Sequence, residues 1–490
     1  MSLDLRLGVI LAYLALVLAV GLLSHRLFRR TGEDYFLASR SIGPLLLLLS
    51  LFGTHMTAFA ILGASGEAYR RGIGVYGLMA SSSALVAPCV FFFVGTRLWS
   101  LGKRHGLMTQ VQYFRRRYDS EAVGLVLFAV LTALLIPYLL IGVLGGGLTL
   151  SQITGGQAPT WLGSLLVCLV VLAYVSYGGL RGTAWANALQ TLVFMGLGAV
   201  AFAVIVGRLG GVGAVIERLG QSQPQLLVRG EGMPPLQMLS YTLIPLSAGM
   251  FPHLFMHWLT ARSAETFRLP VVLYPLCIAV VWVPSVLLGL AGRVDFPGLE
   301  GAAANGVLVM LIERHAPGIL AGLLGAGVFA AIMSSLDSQI LSLGTLFTQD
   351  ILRRYGRGGE LDEAQQIFWG RVFVVGIVVV VFALSLVASP RIFGLAVWSF
   401  SGFAALFPLV LAALFWRRST AAGVLAAVGT AAVLWVYFFV RGELNLGGGL
   451  MPVVVLFGAV CVVLVGVSLL TRPPRAPVVE DFFGTEGRPA

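Results

Sequence analysis

One acidic side chain stands where acids are costly. Asp337 lies in Ala330-Ala331-Ile332-Met333-Ser334-Ser335-Leu336-Asp337-Ser338, inside an otherwise apolar run. A carboxylate at the centre of a membrane helix costs about 2.5–3.5 kcal/mol on the insertion scale, and such a residue is by default a functional one. On a helix, residues 331, 334 and 338 share a face at spacings of three and four, and Ser335 and Asp337 flank that face. Hydroxyls, a carboxylate and a backbone carbonyl then fall within two turns, an oxygen-rich set of the kind hard cations prefer. Serines alone would read as packing residues bonded back to the preceding turn; the acid among them turns the reading towards an ion site.

Two further apolar runs are interrupted near their middle. One is Leu51-Phe52-Gly53-Thr54-His55-Met56-Thr57-Ala58, the other Ser247-Ala248-Gly249-Met250-Phe251-Pro252-His253. Unwound backbone at membrane depth is tolerated only where it lines a cavity or is buried in protein, and its freed carbonyls can bind a cation. The bland alternative is that Gly and Pro kink packed helices. Each break carries a histidine, His55 and His253, which suits contact with a solute carboxylate or carbonyl. His25, His105 and His315 fall in loops and read as solvated, and His257, near the inner end of its run, as interfacial.

The elements that must hold these residues are membrane spans. Of 490 residues, 58% are hydrophobic and 11% charged, against about 25% charged in soluble domains, and mean hydropathy is +0.93. Soluble and disordered chains are excluded. The net charge of +11 does not indicate nucleic acid, because the basic residues sit in short loops between apolar runs. Cys89, Cys168, Cys277 and Cys461 stand singly, without zinc-site spacing.

A span needs about 20 apolar residues. Thirteen runs qualify, at roughly 6–27, 41–65, 73–98, 121–147, 160–178, 185–208, 238–260, 270–291, 318–346, 368–389, 394–416, 419–441 and 450–471. The first has its basic cluster behind it, at Arg26, Arg29 and Arg30, and reads as a retained helix with the N-terminus outside. That orientation puts most basic residues on the inside, and the C-terminal tail in the cytoplasm, where it is too short for a kinase module. Leu101 to Tyr118 reads either as an amphipathic inner-surface helix with Arg115–Arg117 near lipid phosphates or as a solvated loop.

The two breaks open two sets of five spans, and an odd number inverts the second set, the geometry of an inverted repeat. The expected organisation is an extra helix and internal loop (1–40), a first repeat (41–208), an external loop (209–235), a second repeat (236–416), two C-terminal helices (417–471) and a cytoplasmic tail (472–490).

At this point the residues resemble the sodium:solute symporter family, which includes proline, pantothenate, sialic acid and sugar symporters. The markers are Asp34-Tyr35-Phe36-Leu37-Ala38-Ser39-Arg40, Tyr177-Gly178-Gly179-Leu180-Arg181-Gly182-Thr183-Ala184-Trp185, Ala331-Ile332-Met333-Ser334-Ser335 with Phe347-Thr348-Gln349-Asp350-Ile351, and Phe407-Pro408 through Trp416-Arg417-Arg418-Ser419-Thr420 to Gly423. The resemblance implies an all-α leucine-transporter-type fold of five plus five helices, one extra helix before and two after, and alternating access coupled to sodium. It implies a sodium site from the carbonyls of Gly53, Met56 and Ala331 with the hydroxyls of Ser334 and Ser335. It places the solute beside His55, Thr57 and Phe59, faced by Ser247, Phe251 and His253. One departure stands out. Where members often carry Trp-x-Asp, this chain has Trp185-Ala186-Asn187, and its acid is Asp337. A second cation site would use Ser334, Asp337, Ser338 and Asn187; the alternative is that Asp337 carries a proton.

The expected function is therefore sodium-driven import of a small organic solute, a monocarboxylate or amino acid, by a monomer in the membrane lipid, with sodium as the transported ion. A proton-coupled symporter using Asp337 and a transporter-like sensor are the alternatives. A lipid-modifying enzyme would need clustered intramembrane acids for a metal–diphosphate site, and a single one is found.

Overall fold

The computed structural model describes residues 3–24, 38–230, 233–356, 363–388 and 391–484. Among them the regular structure is helical, apart from one parallel bridge between Ile42 and Ala261. In lipid each backbone N–H and C=O must be satisfied within its own segment, and long runs of Leu, Val, Ala and Phe do this as helices.

The first half comprises α1 (Leu3–Ser24), the broken pair α2 (Pro44–His55) and α3 (Phe59–Arg71), α4 (Tyr76–His105), the short α5 (Gln110–Tyr118), α6 (Glu121–Ile153), α7 (Thr160–Ser176) and α8 (Gly179–Arg208). After α9 (Val212–Ser222) come α10 (Pro235–Tyr241), a tighter 3-10 stretch (Ile244–Gly249) and α11 (Pro252–Leu259). Then follow α12 (Ala264–Asp295), α13 (Val307–His315), α14 (Gly318–Tyr355), α15 (Gln365–Val387), α16 (Ile392–Phe415), α17 (Ala421–Arg441), α18 (Pro452–Leu470) and α19 (Ala476–Phe483). Among the described residues nine helices are long and apolar enough to cross a membrane, or ten with α2 and α3 as one bent span; α7 and Leu5–Gly21 of α1 are shorter apolar helices. The chain is a multi-pass membrane protein.

Helix α14 is the core. It packs against α1, α2, α6, α8, α11 and α15, and every residue from Leu324 to Leu343 is buried. Asp337 and its serines are thus enclosed by protein and kept from the acyl chains.

Both interruptions fall where the sequence puts them. Helix α2 stops at His55; Met56 leaves helical geometry (φ −85°, ψ 114°), and the chain restarts as α3 with a 62° bend. The Thr57 hydroxyl accepts the Phe59 N–H at 3.0 Å, a cap for an N–H that the break leaves without a partner in the preceding turn. At the second break Phe251 is extended (φ −69°, ψ 118°) and Pro252 starts α11, where a missing N–H costs nothing. Between α7 and α8 the chain swings through Gly179 at φ 56°, ψ −164°, backbone that a side chain rarely adopts.

Several expectations need correction. The 101–118 segment is neither a lipid-facing amphipathic helix nor a solvated loop. Most of α5 is buried, and Arg115 and Arg117 point into protein. Arg115 pairs with Asp350 at 3.2 Å, and Arg117 donates to the carbonyls of Ala413 and Trp416 at 3.1 and 3.2 Å. Burial raises the Tyr118 phenol above its ordinary range, against the lowering pull of Arg117 and of its bond with Ser419. The 209–235 connection carries α9 and a 3-10 turn at Pro224–Leu227. His105 is packed against Phe482 of α19 (centroids 5.0 Å), not solvated, and His315 bonds to Asp295. The Asp34–Leu37 part of the first family marker, His25, and the tail beyond Gly484 lie outside the described residues.

Candidate ion and solute site

Helix α14 meets the last turn of α2 through the hydroxyls of Ser334 and Ser338. Ser334 Oγ lies 2.9 Å from the carbonyl of Gly53 and 3.2 Å from that of Ala331. Three of the five expected sodium ligands are thus in direct contact. The approach depends on glycine. A Cβ at residue 53 would meet Thr191 Oγ1 at 2.3 Å and the Asn187 carbonyl at 3.1 Å. Met56 and Ser335 sit on the same two segments and are buried. The Ser335 hydroxyl accepts from Gln339 Nε2 at 2.6 Å, one turn further along α14.

The second group forms a connected polar network. The Asn187 amide of α8 donates to Thr54 Oγ1 and to Ser338 Oγ, both at 2.8 Å. Thr54 and Ser338 are 2.6 Å apart, and His257 Nε2 lies 3.2 Å from each. Ser338 Oγ donates to Asp337 Oδ1 at 3.1 Å, and the Tyr174 hydroxyl donates to Asp337 Oδ2 at 2.9 Å. Asn187, Asp337 and Ser338 therefore come together as the sequence expects, with Ser334 one turn before Ser338 on α14. Thr54, Tyr174 and His257 join them unforeseen. His257 is fully buried, which corrects its interfacial reading. Its spacing of four from His253, a shared helical face, was the available signal; nothing in the sequence around Tyr174 marked it.

Asp337 is not the sole buried acid. Glu67 and Asp350 are buried too, but Glu67 pairs with Arg70 and Arg71, and Asp350 with Arg115. What sets Asp337 apart is its company of hydroxyls and an amide in place of a guanidinium. Among the described residues no three His, Cys, Asp or Glu side chains converge, so the oxygen donors here are hydroxyls, carbonyls and one carboxylate, a set suited to a hard monovalent ion.

The expected solute residues divide in two. His55 bonds to the Tyr274 hydroxyl and lies edge-on to Phe251 at 6.0 Å. Phe251 stacks on His253 at 5.1 Å, and Phe59 reaches the same cluster through Phe400, 5.4 Å from Phe59 and 5.5 Å from Phe251. Thr57, by contrast, caps α3 with its hydroxyl, and Ser247 is buried at the second break, where its main-chain carbonyl accepts from Met250 and Phe251 N–H at 2.9 and 3.1 Å. Tyr138 and Phe400 complete the aromatic cluster and were not expected.

Comparison with known proteins agrees with this architecture. The sequence model of the sodium:solute symporter family matches residues 35–430. The high-affinity proline transporter PutP of Bacillus subtilis (strain 168) is 26% identical over 477 residues, covering 94% of this chain and 98% of that protein. The sodium/pantothenate symporter of Escherichia coli (strain K12) is 27% identical over 497 residues, covering 96% and 98%. The structure of a Na+-coupled sialic acid symporter, substrate-bound and outward-open, superposes with a TM-score of 0.80 at 17% identity, over 96% of this chain and 99% of that one. A nucleobase-cation-symport-1 family transporter superposes at 0.59 with 14% identity, over 91% and 97%.

Proposed function

The chain belongs to the sodium:solute symporter family, matched over residues 35–430, and from that premise we propose that it imports a small monocarboxylate or amino acid with sodium by alternating access. The carrying observation is the Ser334–Gly53 contact. It joins the last turn of α2, just before the break, to the core helix α14 through oxygens that an alkali ion can share. In this reading sodium binds the carbonyls of Gly53, Met56 and Ala331 and the hydroxyls of Ser334 and Ser335, and Ser334 turns its proton away. The ion thereby fastens α2 to α14 and favours the outward-open state. Solute then binds between the two breaks, beside His55, Phe59, Phe251 and His253, with Thr57 and Ser247 shaping the backbone there. Closure and inward opening follow. Coupling requires sodium and solute each to raise the other's affinity. A sodium ion moving down a potential of about 100 mV contributes roughly 2.3 kcal/mol, beyond its concentration gradient.

Asp337, with Asn187 and Ser338, forms the proposed second cation site. The carboxylate that relatives are expected to carry on the α8 side stands here on α14, across the same network. Proton coupling through Asp337 is the second reading, favoured by the hydroxyl and imidazole chain that leads from it to His257.

The topology belongs to the same proposal. The nine long spans, the α2/α3 pair, the two shorter apolar helices and the broken stretch from Pro235 to Leu259 make thirteen crossings. They divide into repeats at 41–208 and 236–416, one helix before and two after, with the N-terminus outside, the tail inside and the monomer as the working unit.

The test is uptake into proteoliposomes, with an imposed sodium gradient set against an imposed proton gradient. Sodium-driven accumulation is expected. Uptake that follows protons and ignores sodium would overturn the leading reading and favour the second.

A further inference from the structure

The proposed solute region is walled by rings from five helices. Phe59 of α3, Tyr138 of α6, Phe251 and His253 at the second break, Trp282 of α12 and Phe400 of α16 form one continuous cluster. Phe400 is edge-on to Phe59 at 5.4 Å and to Tyr138 at 4.9 Å; Phe251 lies 5.1 Å from both Tyr138 and His253; Trp282 is edge-on to Phe59 at 5.9 Å. All six are buried. None is an acid, a lysine or an arginine.

Within this apolar surround stand polar atoms with no partner among the described residues. Both ring nitrogens of His253 are buried and unpaired, and so is Trp282 Nε1. Buried polar atoms are normally satisfied, and leaving them unmade is unfavourable. Trp offers a donor alone; a neutral His offers one donor and one acceptor. A ligand that answers the two donors among them, Trp282 Nε1 and the His253 N–H, brings hydrogen-bond acceptors on a body that otherwise meets rings.

We propose that the transported solute is a monocarboxylate bearing an aromatic ring, its ring packed against Phe59, Phe251 and Phe400 and its oxygens facing Trp282 Nε1 and His253. The inference rests on the symport reading above and narrows it. A polyol needs a partner for every hydroxyl, and rings supply none. A cationic solute meets no acid in this wall. A single negative charge is neutralised by one co-bound sodium. An added ring fits because aromatic pairs favour the edge and offset contacts at 4.5–7 Å already present here.

The experiment is calorimetric titration of the purified protein, in sodium and in a sodium-free buffer. The probes are phenylacetate and phenylalanine, their ringless counterparts acetate and alanine, and glucose. Sodium-dependent binding of phenylacetate or phenylalanine, at least roughly tenfold tighter than its ringless counterpart, is expected. Which of the two binds shows whether an α-ammonium belongs to the solute. Phe400→Leu should erase most of the ring preference while Phe400→Tyr keeps it, and Trp282→Phe should weaken whichever ring-bearing acid binds about tenfold without changing that preference. Equal or tighter binding of acetate, alanine or glucose overturns the inference, as does the failure of both ring-bearing acids to bind. Sodium binding, titrated alone on the same sample, separates that failure from failure of the symport reading: if sodium still binds, symport stands and the solute class is wrong.

Discussion

Ser334 has one proton to give, and two carbonyls, Gly53 and Ala331, stand within reach of it. A bound cation would relieve that competition by taking oxygens as ligands and leaving the proton free to point elsewhere. Ser334→Ala should therefore raise the sodium concentration for half-maximal uptake about tenfold or more, the scale of one lost polar contact, with size-exclusion behaviour unchanged. Gly53→Ala tests the approach itself. The new methyl group would stand 2.3 Å from Thr191 Oγ1, and overpacking of this kind costs about 1–3 kcal/mol, to be read as a lowered Tm. Asp337→Asn keeps the shape of the network but removes its charge. It should weaken cation dependence more than it weakens folding, and sodium activation equal to wild type would strip Asp337 of its role. The serine face and the acid were legible in the sequence because hydroxyls and a carboxylate are conspicuous among leucines and alanines. Tyr174, His257 and Thr54 were not. A tyrosine or histidine in an apolar run reads as packing until its partner across the bundle is known, and those partners come from helices 81 to 203 residues apart in the chain.

At the scale of elements, both breaks and most of the spans followed from composition alone, since lipid allows few solutions for an apolar run. What failed was the segment between the third and fourth runs. Its arginines suggested a lipid surface, because sequence cannot show that an acid from the far end of another helix waits for them. In the structure α5 is pinned to α14 by Arg115 and Thr109, both bonded to Asp350, and to the end of α16 by Arg117. Arg115→Ala would leave the Asp350 carboxylate buried without the arginine that balances its charge, at a cost of about 3–5 kcal/mol. A sharply lowered Tm or poor recovery of folded protein is expected. Replacing both partners, as Arg115→Met with Asp350→Leu, should restore much of that stability. A double variant as unstable as the single one would show that α5 is held mainly by something other than this pair.

For the whole molecule, the proposed cycle turns on whether one ion ties a broken helix to the core. The first break is bent by 62° around Met56 and Thr57, and the core helix beside it is buried over its central turns. A broken helix set against a buried core helix is the pairing that the proposed alternating access would use. The reciprocity of coupling gives a test of the cycle that is independent of residue choice: saturating solute should tighten sodium binding by the same factor as saturating sodium tightens solute binding. The central claim is reached most directly by equilibrium binding of radioactive sodium to the purified protein and to its Ser334→Ala variant. The account predicts saturable binding to the wild-type chain and affinity lower by roughly tenfold or more in the variant. Saturable binding of equal strength in both would place the ion elsewhere and contradict it.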